Sequence, residues 1–351
     1  MKSVGRVIFF IISLIIVLCI IIVSFTIIII NKVSEKECTV EMHEGNDQNL
    51  IYIPVNINDS ILPFIFDTGA TCSLISCELA QKMGLRAEWT EFWEISRYTE
   101  KVWYDTIAFT KKNISIGSLK TNGVFALEGY KGYLIDDIEY KQKVLTIIGK
   151  EIIDRFHWLF NFADNTLTIS SKGIATLVMR DDQILTLGYN SDDTSICMDI
   201  TIDGVLLKNV EFDTGFSKSI EVLEKAKNFD IFFSKSDFET LTSKNSNLEA
   251  VYMPNDLGKA YIIDSLQIND ITMQGVLAFV QSDFTQTYIT ADFVRRFRMM
   301  YFDSTNRKIH LYTSPSDSIR HHRRELQIFR RAVQNYDEDT SNLPSTITEL
   351  W

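Results

Sequence analysis

From Leu50 onward, apolar and polar positions alternate over short stretches, the pattern of strands with one buried face. Leu50–Ile57, Leu62–Phe66, Val144–Ile148, Trp158–Phe162 and Thr166–Ile169 are predicted strands, separated by Asn, Asp, Ser and Gly turns. Helical periodicity is clearest in Cys77–Met83 and Lys150–Phe156, both short. This predicts an all-β chain with one or two helices per unit. Ahead of it, Val7–Ile30 is an unbroken uncharged run rich in Ile, Val, Leu and Phe. As a helix it would span roughly 36 Å, enough to cross a bilayer with some tilt. The run is too long for a signal core, and no small-x-small cleavage site follows it, so the expectation is a retained anchor. Lys2 and Arg6 precede it while Lys32 and Lys36 follow, so charge biases orientation little. The preferred arrangement is a short N-terminal tail with the rest translocated.

The strand pattern repeats. The first unit runs strand, Asn58-Asp59-Ser60 turn, strand, then Phe66-Asp67-Thr68-Gly69-Ala70-Thr71. The second runs Cys197–Ile202, an Asp203-Gly204 turn, strand, then Phe212-Asp213-Thr214-Gly215-Phe216-Ser217. Ile147-Ile148-Gly149 leads into Lys150–Phe156 and the turn Ala163-Asp164-Asn165. Its partner Tyr288-Ile289-Thr290 leads into Ala291–Phe297 and the turn Asp303–Asn306. The same landmarks in the same order indicate a duplicated β unit with a boundary near Ser171-Lys172-Gly173.

Composition narrows the partners. The chain has 351 residues and a net charge of −11, which argues against nucleic acid. The five histidines and five cysteines show no zinc-type spacing, so neither metal nor organic cofactor is expected. Cys72 and Cys77 are spaced either for a small disulfide loop or as two buried thiols.

The two Asp-Thr-Gly loops carry the chemistry. Peptide hydrolysis without a metal or a nucleophilic side chain needs an activated water and an acid for the leaving amine. Two carboxylates sharing one proton supply both. One Asp-Thr-Gly arises by chance in roughly one chain in ten. Two copies, each behind an apolar strand, are a far stronger signal. Asp67 and Asp213 are the candidate catalytic carboxylates, one per unit. Thr68 and Thr214 would brace the loops through hydroxyl-to-backbone hydrogen bonds. Gly69 and Gly215 would permit a tight turn and close backbone approach.

These motifs, with Ile147-Ile148-Gly149, resemble the pepsin and retropepsin clan of aspartic peptidases over roughly residues 48–313, in a membrane-anchored, bacterial-type layout. The resemblance implies two similar β-barrel lobes of the acid-protease fold flanking a cleft, preceded by one transmembrane helix. It also implies a substrate held extended beneath a mobile hairpin flap. The expected organisation is an N-terminal tail (1–6), a transmembrane helix (7–30), a linker (31–47), an N-terminal lobe (48–172), a C-terminal lobe (173–314) and a tail (315–351). The tail holds an arginine-rich segment, Ile319–Gln334, with Leu326, Phe329 and Val333 at helical spacing. It reads as a helix docked on the second lobe or a frayed terminus, in preference to a basic amphipathic helix returning to the membrane surface or to a partner.

Departures from the clan pattern matter. Thr290 stands where the second lobe should carry Gly, predicting a distorted strand or a weakened site. Gly-rich flap signatures are missing; by position the flaps fall at Ser96–Lys101, near Tyr98, Trp103 and Tyr104, and at Ser243–Leu248. Ala70 and Phe216 replace the hydroxyl residues that often follow the motif, predicting activity toward neutral pH. The expected function is an endopeptidase acting on extended peptide or protein segments outside the cytoplasm (periplasmic or extracellular), with a monomeric active site. The rivals are a weak or inactive bilobal protein that holds peptide as an added strand, and a site assembled from two chains.

Overall fold

The computed structural model describes residues 37–43, 50–97, 99–128, 146–174, 183–191, 195–216, 219–222, 225–243, 248–251, 259–269, 271–281 and 284–313. The first half runs β1 (Glu37–Glu41), β2 (Tyr52–Ile57), β3 (Ser60–Phe66), β4 (Ser73–Ser76), α1 (Cys77–Lys82), β5 (Trp89–Arg97), β6 (Thr99–Ile116), β7 (Leu119–Glu128), β8 (Thr146–Ile148), α2 (Lys150–Ile153), β9 (His157–Asn161) and β10 (Thr166–Ser170). The second runs β11 (Gln183–Gly188), β12 (Asn190–Ser191), β13 (Ile196–Ile202), β14 (Val205–Asp213), β15 (Ser219–Val222), β16 (Lys225–Asn228), β17 (Ile231–Ser234), α3 (Lys235–Thr242), β18 (Leu248–Val251), β19 (Lys259–Ile268), β20 (Ile271–Gln281), β21 (Tyr288–Thr290), α4 (Ala291–Arg295), β22 (Met299–Asp303) and β23 (Lys308–Thr313). The described chain is mostly β, with short helices.

Two sheets share one pairing pattern. Hairpin β2–β3 delivers the Asp67 loop and hairpin β13–β14 the Asp213 loop. Each turn places its central residues at positive φ: Asn58 (49°) and Asp59 (62°) in one, Asp203 (47°) and Gly204 (77°) in the other. Such turns match the right-handed twist of the flanking strands. β8 runs parallel to β3, as β21 does to β14. β4 pairs antiparallel with β8 and parallel with β7, as β17 does with β21 and β20. Each of β4 and β17 ends in a serine, Ser76 or Ser234, whose hydroxyl accepts a backbone N–H and caps the following helix.

A third sheet, ordered β1-β10-β9-β22-β23-β11, draws strands from both halves of the chain. Phe66, at the end of β3, packs on it edge-to-face against Trp158 (5.1 Å) and Phe160 (4.8 Å). Trp158 is fully buried, and its indole N–H donates to the Ile153 carbonyl at 2.8 Å. Trp158→Ala is expected to cost about 3–5 kcal/mol, read from urea unfolding.

Glu37–Glu41, which the polar composition assigned to the linker, is an edge strand on β10. Its alternation is only five residues long, with Cys38 and Val40 packed inward, too short to stand out. Among the described residues no helix is long and apolar enough to cross a membrane. The predicted span 7–30 and the tail 315–351 lie outside the described residues.

Candidate active site

The two Asp-Thr-Gly loops meet at the junction of the two sheets. The Asp67 N–H extends the β3–β8 pairing by donating to the Ile148 carbonyl at 3.1 Å. Asp213 is the last residue of β14, in parallel register with Thr290. The threonines cross between the loops. Thr68 Oγ1 donates to the Phe212 carbonyl and Thr214 Oγ1 to the Phe66 carbonyl, both at 2.5 Å. In return the Thr214 N–H donates to Thr68 Oγ1 at 3.0 Å, and the Thr68 N–H to Thr214 Oγ1 at 3.2 Å. Both threonines are fully buried.

The glycines face the opposite carboxyls. A Cβ on Gly69 would lie 2.5 Å from Asp213 Cγ, and one on Gly215 would collide with the Asp67 carboxyl. No side chain fits either position without displacing an aspartate. The Gly69 and Ala70 N–H groups both donate to Asp67 Oδ1 at 2.9 Å, and the Gly215 N–H to Asp213 Oδ1 at 2.9 Å. Asp67 and Asp213 also share a side-chain hydrogen bond. Burial raises the Asp67 pKa well above the usual carboxylate range, and the negative charge of Asp213 adds to it. The two loop N–H groups oppose the rise without cancelling it. The pair therefore favours holding a proton between its members.

Residues 53–138 match the family model described as Aspartyl protease. The half of the chain that carries Asp67 is thus similar to aspartyl proteases. A retropepsin-like aspartic protease from Rickettsia conorii is similar at 16% identity over 38% of this chain and 92% of that one, with a TM-score of 0.27. Conglutin gamma, a basic 7S globulin from lupine seeds, is similar at 10% identity over 80% of this chain and 96% of that one, with a TM-score of 0.49. No curated protein matches the chain.

That similarity makes the departures at Thr290 and the flaps the next questions. Gly149 leaves no room for a side chain: a Cβ there would lie 2.6 Å from the Cys72 carbonyl oxygen and 2.9 Å from that of Ala70. Thr290 takes the matching place in β21 without distorting it. Its backbone is extended (φ −99°, ψ 174°), and its hydroxyl donates to the Phe229 carbonyl at 2.7 Å. The same hydroxyl accepts the Asp292 N–H at 3.2 Å and caps α4. The threonine thus does the work of a buried cap as well as a strand residue.

The first expected flap, Ser96–Lys101, coincides with the end of hairpin β5–β6, where Arg97 pairs Thr99. Tyr98 lies outside the described residues, and so do the side chains of Trp103 and Tyr104. Of the second expected flap, Ser243–Leu248, residues 244–247 lie outside the described residues; beyond them Leu248–Val251 of β18 pairs with Ala260–Ile263 of β19.

Other site-supporting residues had no motif. Gly149 N–H donates to Ser73 Oγ at 3.0 Å, and Ser73 N–H to Glu151 Oε2 at 2.9 Å, tying β4 to the segment behind the Asp67 loop. Arg155 Nη1 donates to the Asn122 carbonyl at 2.6 Å, and Arg296 Nη2 to the Gly275 carbonyl at 2.6 Å. A signal for this was present: Gly123-Val124-Phe125-Ala126 and Gly275-Val276-Leu277-Ala278 repeat in the same order ahead of the two arginines. Among the described residues Cys38, Cys72, Cys77 and Cys197 are thiols not joined in disulfides. Burial, then the charges of Glu151 and Glu91, push the Cys72 thiol up to about 12, which keeps it unreactive. Among the described residues no group of His, Cys, Asp and Glu could hold a metal ion.

Proposed function

We propose that the chain is an aspartic endopeptidase with Asp67 and Asp213 as its catalytic pair, one from each of two acid-protease lobes, 48–172 and 173–314. The observation that carries this reading is the reciprocal Thr68–Thr214 bracing that brings the two carboxyls into mutual hydrogen-bond contact. With one proton on the pair, the ionised carboxylate takes a proton from a water as its oxygen attacks the peptide carbonyl. The other carboxyl gives its proton to the carbonyl oxygen. The tetrahedral diol then collapses: its C–N bond breaks as the amine nitrogen takes the proton from one carboxyl, and a diol hydroxyl returns a proton to the other, which restores the singly protonated pair. The loop N–H groups that hold Asp67 and Asp213 keep both carboxyls aimed while the proton changes sides.

Both loops come from one chain, so the reading needs no second copy. Thr290, the departure that favoured a non-catalytic binding protein, sits in regular register and so supports the catalytic reading. In the same proposal residues 7–30 anchor the protein in a cell membrane, and the lobes work outside the cytoplasm on extended peptide segments. The experiment is cleavage of an unstructured protein by the full chain and by Asp67→Asn, with and without a statine-type transition-state mimic. Cleavage abolished by both supports the enzyme; cleavage insensitive to both overturns it.

The raised pKa of Asp67 also sets a pH range. The pair is competent while it keeps its one proton, and the basic limb of activity falls where that proton is lost. Activity is therefore expected to extend toward neutral pH. A pH–rate profile peaking near about pH 3 and lost by about pH 6 would contradict it.

A further inference from the structure

Glu91 is exposed on β5 with a partly buried tryptophan two residues away on either side. Both indoles turn inward onto its carboxylate: Trp89 Nε1–H donates to Oε1 and Trp93 Nε1–H to Oε2, each at 2.9 Å. The rings are fixed from behind by Phe109, stacked on Trp89 at 5.7 Å and tilted against Trp93 at 5.3 Å. The carboxylate is thus held in one orientation, with lone pairs left to accept further donors.

This group belongs to the side of the sheet that reaches the Asp67 loop. Trp89 pairs across the strands with Phe109, Phe109 with Ala126, and Ala126 with Leu74. Directly paired residues share a face, so this row runs from β5 to β4, which follows the Asp67 loop. The charge of Glu91 is felt at Cys72 on that loop. Glu91 also stands on the hairpin whose end falls at the first expected flap. A fixed carboxylate flanked by two indoles matches an ammonium or guanidinium group by ion pairing and by cation–π contact.

We propose that Trp89, Glu91 and Trp93 form a substrate subsite for a lysine or arginine side chain. The proposal rests on the peptidase reading of the Asp67–Asp213 site. The substrate backbone would lie over the paired aspartates and run on along the Phe109–Leu74 row, so that a basic side chain some residues from the scissile bond falls beside Glu91.

The test uses the full chain and extended peptides that differ at one position, scanned across both sides of the scissile bond with Lys, Ala or Glu. At one position kcat/KM for Lys should exceed that for Ala by about tenfold. Glu91→Gln should bring that ratio close to one, and Glu91→Lys should reverse the order of Lys and Glu. A second arm measures binding of labelled Lys and Ala peptides to full-length Asp213→Asn, with and without Glu91→Gln, by fluorescence anisotropy. Glu91→Gln keeps an oxygen for one indole, and its circular dichroism should match wild type. An unchanged Lys-to-Ala ratio in Glu91→Gln, or equal binding of the two peptides, overturns the subsite while leaving the peptidase reading intact. Glu91-dependent binding of the Lys peptide by a wild type that cleaves nothing overturns the peptidase reading and leaves the cationic site standing.

Discussion

Asp213→Asn is expected to lower kcat for peptide cleavage by on the order of a thousandfold or more while the protein stays folded. The amide keeps the shape of the carboxyl and can still accept the Gly215 N–H, so the loop should hold. It cannot share a proton with Asp67, so neither water activation nor carbonyl protonation proceeds. Asp67→Asn should act alike, with KM changed little in either. Stability should respond in a sign-specific way. A carboxyl whose folded pKa lies above its unfolded one binds more protons when folded. Its contribution is full below the ordinary Asp range and is lost as pH rises through the raised value. Asp67→Asn removes that loss, so above the raised pKa the variant should unfold at higher urea than wild type. Steady-state kinetics with a quenched fluorescent peptide and urea unfolding across pH check both parts. Cleavage within tenfold of wild type would remove Asp213 from the reaction.

The second large effect is at the loop brace. Thr68→Val is nearly the same size but takes away one hydroxyl that serves two loops. The Phe212 carbonyl loses its donor, and the Thr214 N–H loses its acceptor, in a fully buried position. An unmet buried polar group costs about 1–3 kcal/mol, so with two of them the variant should lose about 2–6 kcal/mol. The two carboxyls should also drift from their mutual aim, at a cost of roughly a hundredfold in kcat. Thr214→Val should behave the same way by the mirror set of bonds. Because the two hydroxyls serve one network, the double variant should cost clearly less than the sum of the singles. Thr68→Ser, which keeps the hydroxyl, should stay close to wild type. Strict additivity in urea unfolding would mean the two loops are not braced as a unit.

The brace is legible in the amino-acid sequence because its chemistry is local: Asp67-Thr68-Gly69 and Asp213-Thr214-Gly215 follow apolar strands at matching distances from a turn. What the motif does not convey is that each threonine serves the other loop, since that depends on two segments 146 residues apart. The turns at Asn58-Asp59 and Asp203-Gly204 are equally readable, because positive φ selects Asn, Asp and Gly. β6 escapes notice for the opposite reason. Its eighteen residues, TEKVWYDTIAFTKKNISI, mix charges and aromatics without a steady alternation, and it is a strand because β5 and β7 pair with it on both sides. Thr290 misleads because a glycine preference in one half is carried to the other. Gly149 is forced by the Cys72 and Ala70 carbonyls pressed against it, whereas Thr290 finds the Phe229 carbonyl waiting for its hydroxyl.

The sheet ordered β1-β10-β9-β22-β23-β11 binds the halves at a seam where β9 and β22 pair from Asn161–Met299 to Trp158–Phe302. A polypeptide severed between Ile174 and Gln183 would leave each fragment with a raw backbone edge, the sort that recruits a partner strand indiscriminately. Made together, the pieces own complementary edges and should zip into a reconstituted whole; made apart, each should be insoluble.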